Sequence, residues 1–236
     1  DEVQLLSEFE DVLNTLLKKQ IYDVYVTGSN ARFLSKDVIT TFRGRGDEVR
    51  IHPLNFAEYF SVQPISPLIE PILNDYLRLG GLPQTVGMQD EIQKREYLLQ
   101  LFKNTYLLDI KERYDIKNDD DLEELIDVIA SSIGGLTNPN KIANTFKSTK
   151  KSNISRDTIK LYLDHMQEAF MIEKAVRYDI KGRKYIDTPA KYYFDDLGLR
   201  NARINFRQNE PTHLMENLIY NELRIRGYSV DVGQLA

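Results

Sequence analysis

Residues able to do chemistry gather at a few places along the sequence. Gly28-Ser29-Asn30 follows residues 21–27, IYDVYVT, a nearly continuous apolar and β-branched run. Such a run reads as a strand buried on both faces of a parallel sheet. Ligands of open parallel sheets lie just beyond the carboxyl ends of the strands, where the Ser29 hydroxyl and the Asn30 amide would touch one. The same three residues also suit a turn that caps the following helix. A second concentration is electrostatic. Residues 141–184 carry eleven Lys/Arg against five Asp/Glu, so a chain of net charge −5 holds +6 there and −11 elsewhere. That asymmetry fits one module facing a polyanion. Asp195-Asp196 invites a metal assignment, but two acids followed by Gly198 read first as a turn.

The elements that must position these groups follow from periodicity. Residues 7–20 put Phe9, Val12, Leu13, Leu16 and Leu17 on one helical face, with acids early and Lys18-Lys19 late, as the macrodipole prefers. A short helix over 36–42 delivers Arg43 and Arg45 around Gly44, either as a solvated pair or as a functional one. Residues 47–52 read as a strand, and Asn55 caps the helix FAEYF. Pro64, Pro67 and Pro71 mark a boundary. A helix over 68–79 stops at Gly80-Gly81, and a long one over 89–115 carries the stripe Ile92, Leu98, Leu101, Phe102, Thr105 and Leu108.

The basic region has its own plan. A helix over 119–133 precedes a short one opened by Asn138-Pro139 and a longer one capped by Ser155. The runs AVRYD and KYIDT then flank a turn at Lys181-Gly182-Arg183. Three helices followed by a basic hairpin is the layout of a winged helix-turn-helix. Ser155, Arg156 and Lys160 would meet base edges or phosphates of double-stranded DNA. Lys150, Lys151, Lys181, Arg183 and Lys184 would meet phosphates. Asp157 and Asp164 share the outward face and oppose that reading, and a winged helix also serves as a protein-docking or self-assembly module. Further on, KYYF is a strand, 212–226 a helix ended by Gly227, and 228–232 a strand.

Bulk properties limit the classes. At 236 residues, 42% apolar and 28% charged, the chain suits one large or two to three small globular domains. It has no Cys and three His, which excludes disulfides and thiolate metal sites. No apolar run approaches the ~20 residues of a membrane span, and neither a signal peptide nor a lipidation motif is present. A cytoplasmic protein is expected, and the lack of an initiator Met makes it read as a fragment.

VTGSNARFLS, GRG and HPLNFAEYF, then LGGLP, NTYLLDI, KYYFDDLGLRNA and HLMENLIYNELRIRGYSV, occur in order over almost the whole chain. This series resembles the prokaryotic AAA+-type ATPases with an appended C-terminal domain of uncharacterised function. The resemblance implies an α/β plus mainly α fold. Residues 1–63 would form part of a P-loop-type core, 64–117 a helical connector, 118–190 the winged helix, and 191–236 the start of a PD-(D/E)XK nuclease-like region. It makes DEVQ the Walker B motif, with Asp1 holding Mg²⁺ through water and Glu2 polarising the attacking water. Asn30, or Ser29, would be the sensor of the γ-phosphate. Arg43 or Arg45 would act in trans as an arginine finger, which requires homo-oligomeric assembly. ATP and Mg²⁺ belong to the full-length protein. This chain holds no G-x-x-x-x-G-K-[ST] loop and is expected to be inactive alone. Glu216 would take the place of the nuclease helix Glu, with its companion ligands expected beyond Ala236. A lone carboxylate assembles no Mg²⁺ site, so Glu216 reads as a surface acid or a remnant unless the nuclease is completed.

Overall fold

A computed structural model describes residues 2–3, 6–28, 47–64, 68–117, 119–150, 152, 154–177, 189–207 and 210–233. The chain forms two compact units. One comprises Asp1–Ile51 with Glu168–Phe170, the other His52–Gln167 with Met171–Ala236.

In the first unit, helix α1 (Phe9–Lys19) forms as its pattern requires, burying Phe9 and Leu13 between an acidic first turn and a basic last one. Val12 is exposed instead of inward. The buried strand expected over 21–27 is not formed. Ile21, Tyr22, Tyr25 and Val26 are exposed, Tyr25 by 90%. A strand covered on both faces needs neighbours to satisfy its backbone. Among the described residues no strand flanks this run, although Val3 donates its N–H to the Thr27 carbonyl at 3.0 Å. Residues 47–51 are likewise irregular, with Val49 and Ile51 exposed.

The second unit opens with α2 (Phe56–Ser61), held by a reciprocal cap. Asn55 Oδ1 accepts the Glu58 N–H at 3.0 Å, and Glu58 Oε2 accepts the Asn55 N–H at 2.9 Å. Pro71 lies inside α3 (Ile69–Leu79), in the first turn, where a missing N–H removes no helical bond. After α4 (Pro83–Gly87) comes a long helix in three parts: α5 (Glu91–Leu101), a π-helical turn over Phe102–Leu107, and α6 (Leu108–Arg113). Leu98 and Phe102 are buried as the stripe predicts. Ile92, Thr105 and Leu108 are not, and Leu107 and Ile110 are buried in their stead. The wider i→i+5 turn rotates the following residues off the α-helical register.

Helices α7 (Asp119–Ser131), α8 (Pro139–Thr145) and α9 (Arg156–Glu168) follow. Leu122, Leu125, Ile126 and Ile129 of α7 are buried, as are Ile159, Leu163 and Met166 of α9. Asn138 Oδ1 caps α8 through the Asn140 N–H at 2.8 Å, and Ser155 Oγ caps α9 through the Thr158 N–H at 3.0 Å. Strand β1 (Ile172–Ala175) then pairs antiparallel with β2 (Lys191–Phe194), Ile172 opposite Phe194 and Ala175 opposite Lys191. Of the expected run AVRYD only Ala175 lies in β1, opposite Lys191 of KYYF; Tyr178-Asp179, KYIDT and the Lys181-Gly182-Arg183 turn lie outside the described residues. On the other edge of this ladder Ala190 exchanges both backbone bonds with Thr137, at 2.7 and 3.0 Å.

Helix α10 (Leu197–Arg203) starts directly after β2, so Asp195-Asp196 opens a helix and not a turn. Helix α11 (Pro211–Ile225) ends at Gly227, whose φ is +83°. Of the strand expected over 228–232, Val232 makes a single parallel bridge to Arg177. Among the described residues no helix is long and apolar enough to cross a membrane.

Candidate functional site

The helix α9 face is set by its core positions. With Ile159, Leu163 and Met166 turned inward, Arg156, Asp157, Lys160, Leu161 and Asp164 are exposed. Arg156 and Lys160 stand one turn apart near the helix start, just after the Ser155 cap. Gln167 is half-buried, donating to the Leu163 carbonyl at 3.0 Å. Of the other expected DNA contacts, Lys151, Lys181, Arg183 and Lys184, with the side chain of Lys150, lie outside the described residues.

The residues expected to serve a nucleotide divide similarly. Glu2 donates its N–H to Thr27 Oγ1 at 3.2 Å, so the Glu2-Val3 backbone runs beside the residue that precedes Gly28. Asp1, Ser29, Asn30, Arg43 and Arg45 lie outside the described residues.

Glu216 has partners that the sequence did not suggest. Its Oε1 accepts from Lys191 Nζ at 2.5 Å and from the Tyr193 hydroxyl at 2.6 Å. Helix α11 brings it over β2, where Lys191 and Tyr193 stand two apart and so share a face. Burial alone would raise the Glu216 pKa, but the bonds from Lys191 and Tyr193 outweigh it and hold the carboxyl below its usual range. Burial and that same carboxylate push the Tyr193 hydroxyl up. The group borders a cleft of about 280 Å³ whose wall includes Ala175, Tyr220 and Asp231. Among the described residues no three His, Asp or Glu are grouped to hold a metal ion. Glu216 is thus a carboxylate already neutralised by a lysine.

A group of buried, hydrogen-bonded polar side chains sits at the start of α10. Asp196 is buried. Its Oδ2 accepts the Gly81 N–H at 2.7 Å, and its Oδ1 accepts the Leu199 N–H at 2.9 Å. Burial raises its pKa to about 6, against the opposing pull of the Gly81, Leu199 and Gly198 N–H groups. Arg200, fully buried, donates from Nε to the Ala130 carbonyl at 2.7 Å and from Nη1 to Asn201 Oδ1 at 3.0 Å. Its guanidinium pKa is lowered by burial to about 10. Asn201 Nδ2 donates to the carbonyls of Leu77 and Arg78 at 3.0 and 2.9 Å. The sequence signal was the pair LGGLP and DDLGLRN, two motifs that meet in space.

Residues 1–60 match the AAA domain family, and residues 70–210 match a family described as a domain of unknown function, DUF8612. An uncharacterised protein of Haemophilus influenzae is 37% identical over 238 residues, covering 100% of this chain and 59% of the relative. An uncharacterised protein of Methanocaldococcus jannaschii is 29% identical over 97% of this chain and 53% of its own length. The chain thus spans somewhat over half the length of these curated relatives. No solved structure matches.

Proposed function

The chain belongs to the DUF8612 family, preceded by an AAA-type segment, and from that premise we propose that it is part of an AAA-type ATPase that engages duplex DNA through a winged helix. The observation that carries this reading is the Thr137–Ala190 pairing. It adds a third backbone partner to the β1–β2 ladder, which supports the reading of α7, α8, α9 and this ladder as a winged helix-turn-helix. In it α9 is the recognition helix, with Arg156 and Lys160 at its exposed start.

The ATPase side is supported by the AAA match and by Glu2 and Val3 lying beside Thr27. Asp1 and Glu2 are the Mg²⁺ and lytic-water residues of this proposal, Asn30 or Ser29 the γ-phosphate sensor, and Arg43 or Arg45 the arginine finger of a neighbouring copy. ATP and Mg²⁺ supply the phosphoryl chemistry in the whole protein.

A second reading, docking of a protein or of another copy, is favoured by Leu161 being 51% exposed on the same α9 face as Asp157 and Asp164. The nuclease alternative gains no support from Glu216, whose carboxylate is engaged by Lys191 and Tyr193. Fluorescence anisotropy of a labelled duplex, titrated with the chain at low and at physiological salt, separates the first two readings. Binding that weakens steeply with salt is the expected result. Absent or salt-insensitive binding leaves the docking module.

A further inference from the structure

Helix α10 has seven residues, yet it is bonded to elements far apart in sequence. Toward the connector helices, Asp196 at its cap takes the Gly81 N–H, and Asn201 bonds both Leu77 and Arg78. Toward the tri-helical module, Arg200 bonds the Ala130 carbonyl near the end of α7, and Arg203 reaches Asp127 at 2.6 Å and the Glu123 carbonyl at 2.9 Å. The connector end is itself fastened to the segment that closes the AAA match. Leu54 donates to the Gly81 carbonyl at 2.8 Å, its own carbonyl accepts the Tyr76 hydroxyl at 2.7 Å, and Phe56 donates to Glu222 at 2.7 Å.

These joints have no slack. A methyl group added at Gly198 would lie 2.1 Å from the Leu79 carbonyl oxygen, and one at Gly81 would lie 2.2 Å from that of Leu54. Backbone touches backbone at both places. Close-packed contacts of this kind do not deform gradually.

The geometry points to α10 as a rigid coupling that carries displacements of the segment around Leu54 to α7, instead of letting them dissipate between connector and winged helix. The line runs Leu54, Gly81, Asp196, Arg200, Ala130. The residue that sets it is Asp196, whose two oxygens bind the connector and the helix start at once. Displacement of residues 52–56 then moves connector and tri-helical module as one body.

Hydrogen exchange read by mass spectrometry on the whole chain tests this without any DNA, so its outcome is independent of what the winged helix binds. In Asp196→Asn an amide NH₂ replaces one acceptor, so either Gly81 or Leu199 loses its bond. Exchange is expected to rise about tenfold in residues 52–56, 77–82 and 127–133 together. Residues 156–168 of α9 should change less than about twofold. A rise confined to 77–82 and 197–200, or one equally large in α9, overturns the coupling. Should Asp196→Asn not fold, Tyr76→Phe cuts only the Leu54 contact. It is then expected to speed both 52–56 and 127–133 by about threefold, and wild-type exchange at 127–133 refutes the proposal.

Discussion

Asp196 accepts the backbone N–H of Gly81 at 2.7 Å across 115 positions of sequence. The approach depends on the glycines on the other side. Gly80 has φ +76°, and a Cβ there would lie 2.2 Å from Asp196 Oδ1. Gly80→Ala therefore combines a strained backbone with a clash against a buried carboxylate. We expect it to cost about 3 kcal/mol or more, read as a lowered urea midpoint. Gly87→Ala is the control, since nothing lies within 4 Å of its added methyl, and it should stay within about 0.5 kcal/mol of wild type.

The same carboxyl sets a pH dependence. Burial lifts Asp196 from 3.8 to about 6, so the folded state holds that proton more tightly than the unfolded chain does. Its contribution is complete below the unfolded value and is lost as pH rises through about 6, a change of roughly 3 kcal/mol. Glu123 and Glu216, whose pKa values are lowered by their cationic partners, act in the opposite sense and lose theirs as pH falls. Asp196→Asn cannot titrate. Urea midpoints of the two proteins measured at about pH 4 and pH 7 should show wild type losing ground to the variant at the higher pH. A gap that stays constant contradicts the assignment.

Local signals carried much of the fold and little of its assembly. Asn55, Asn138 and Ser155 cap the helices that their types announce, and Gly227 ends the last one, because caps depend on residues within a turn or so of one another. The apolar run 21–27 announces a strand equally well, but a strand is completed by neighbours, and none is among the described residues. Thr105 and Leu108 left the buried stripe because one π turn shifts every later residue, and composition does not mark that turn. The role of Asp196 depends on a partner 115 positions away. Two adjacent acids look like a solvated turn until a glycine N–H from another motif donates to one of them. Glu216 was found by its motif, while Lys191 and Tyr193 come from a strand on the far side of α10.

Glu216 yields a prediction that separates an ion pair from a metal ligand. Glu216→Ala removes the shared acceptor of Lys191 and Tyr193, all three partly buried or buried. Because the Glu216 side chain is 36% exposed, solvent screens the pair and the cost should be about 1 kcal/mol. Millimolar Mg²⁺ should shift the melting temperature of wild type and Glu216→Gln equally, since Lys191 already neutralises the carboxylate. A Mg²⁺-dependent rise seen in wild type alone would restore the metal reading.

The α9 face offers a test in which two substitutions act with opposite sign. Lys160 and Asp164 are both exposed and lie one turn apart, so neither supports the core, and Lys160→Ala and Asp164→Asn should each change stability by less than about 0.5 kcal/mol. If α9 faces phosphates, removing Lys160 releases one fewer counterion. The slope of log affinity against log salt should fall by about one, with affinity reduced alike for different duplexes. Removing the Asp164 charge should instead tighten binding, most clearly at low salt, where screening is weakest. A face built for protein docking around Leu161 predicts no such opposition: both variants would leave the salt dependence of duplex binding unchanged, and Leu161→Ala would be the one to weaken association. Anisotropy titrations of the three variants at two salt concentrations therefore distinguish a charge-reading helix from an apolar docking face.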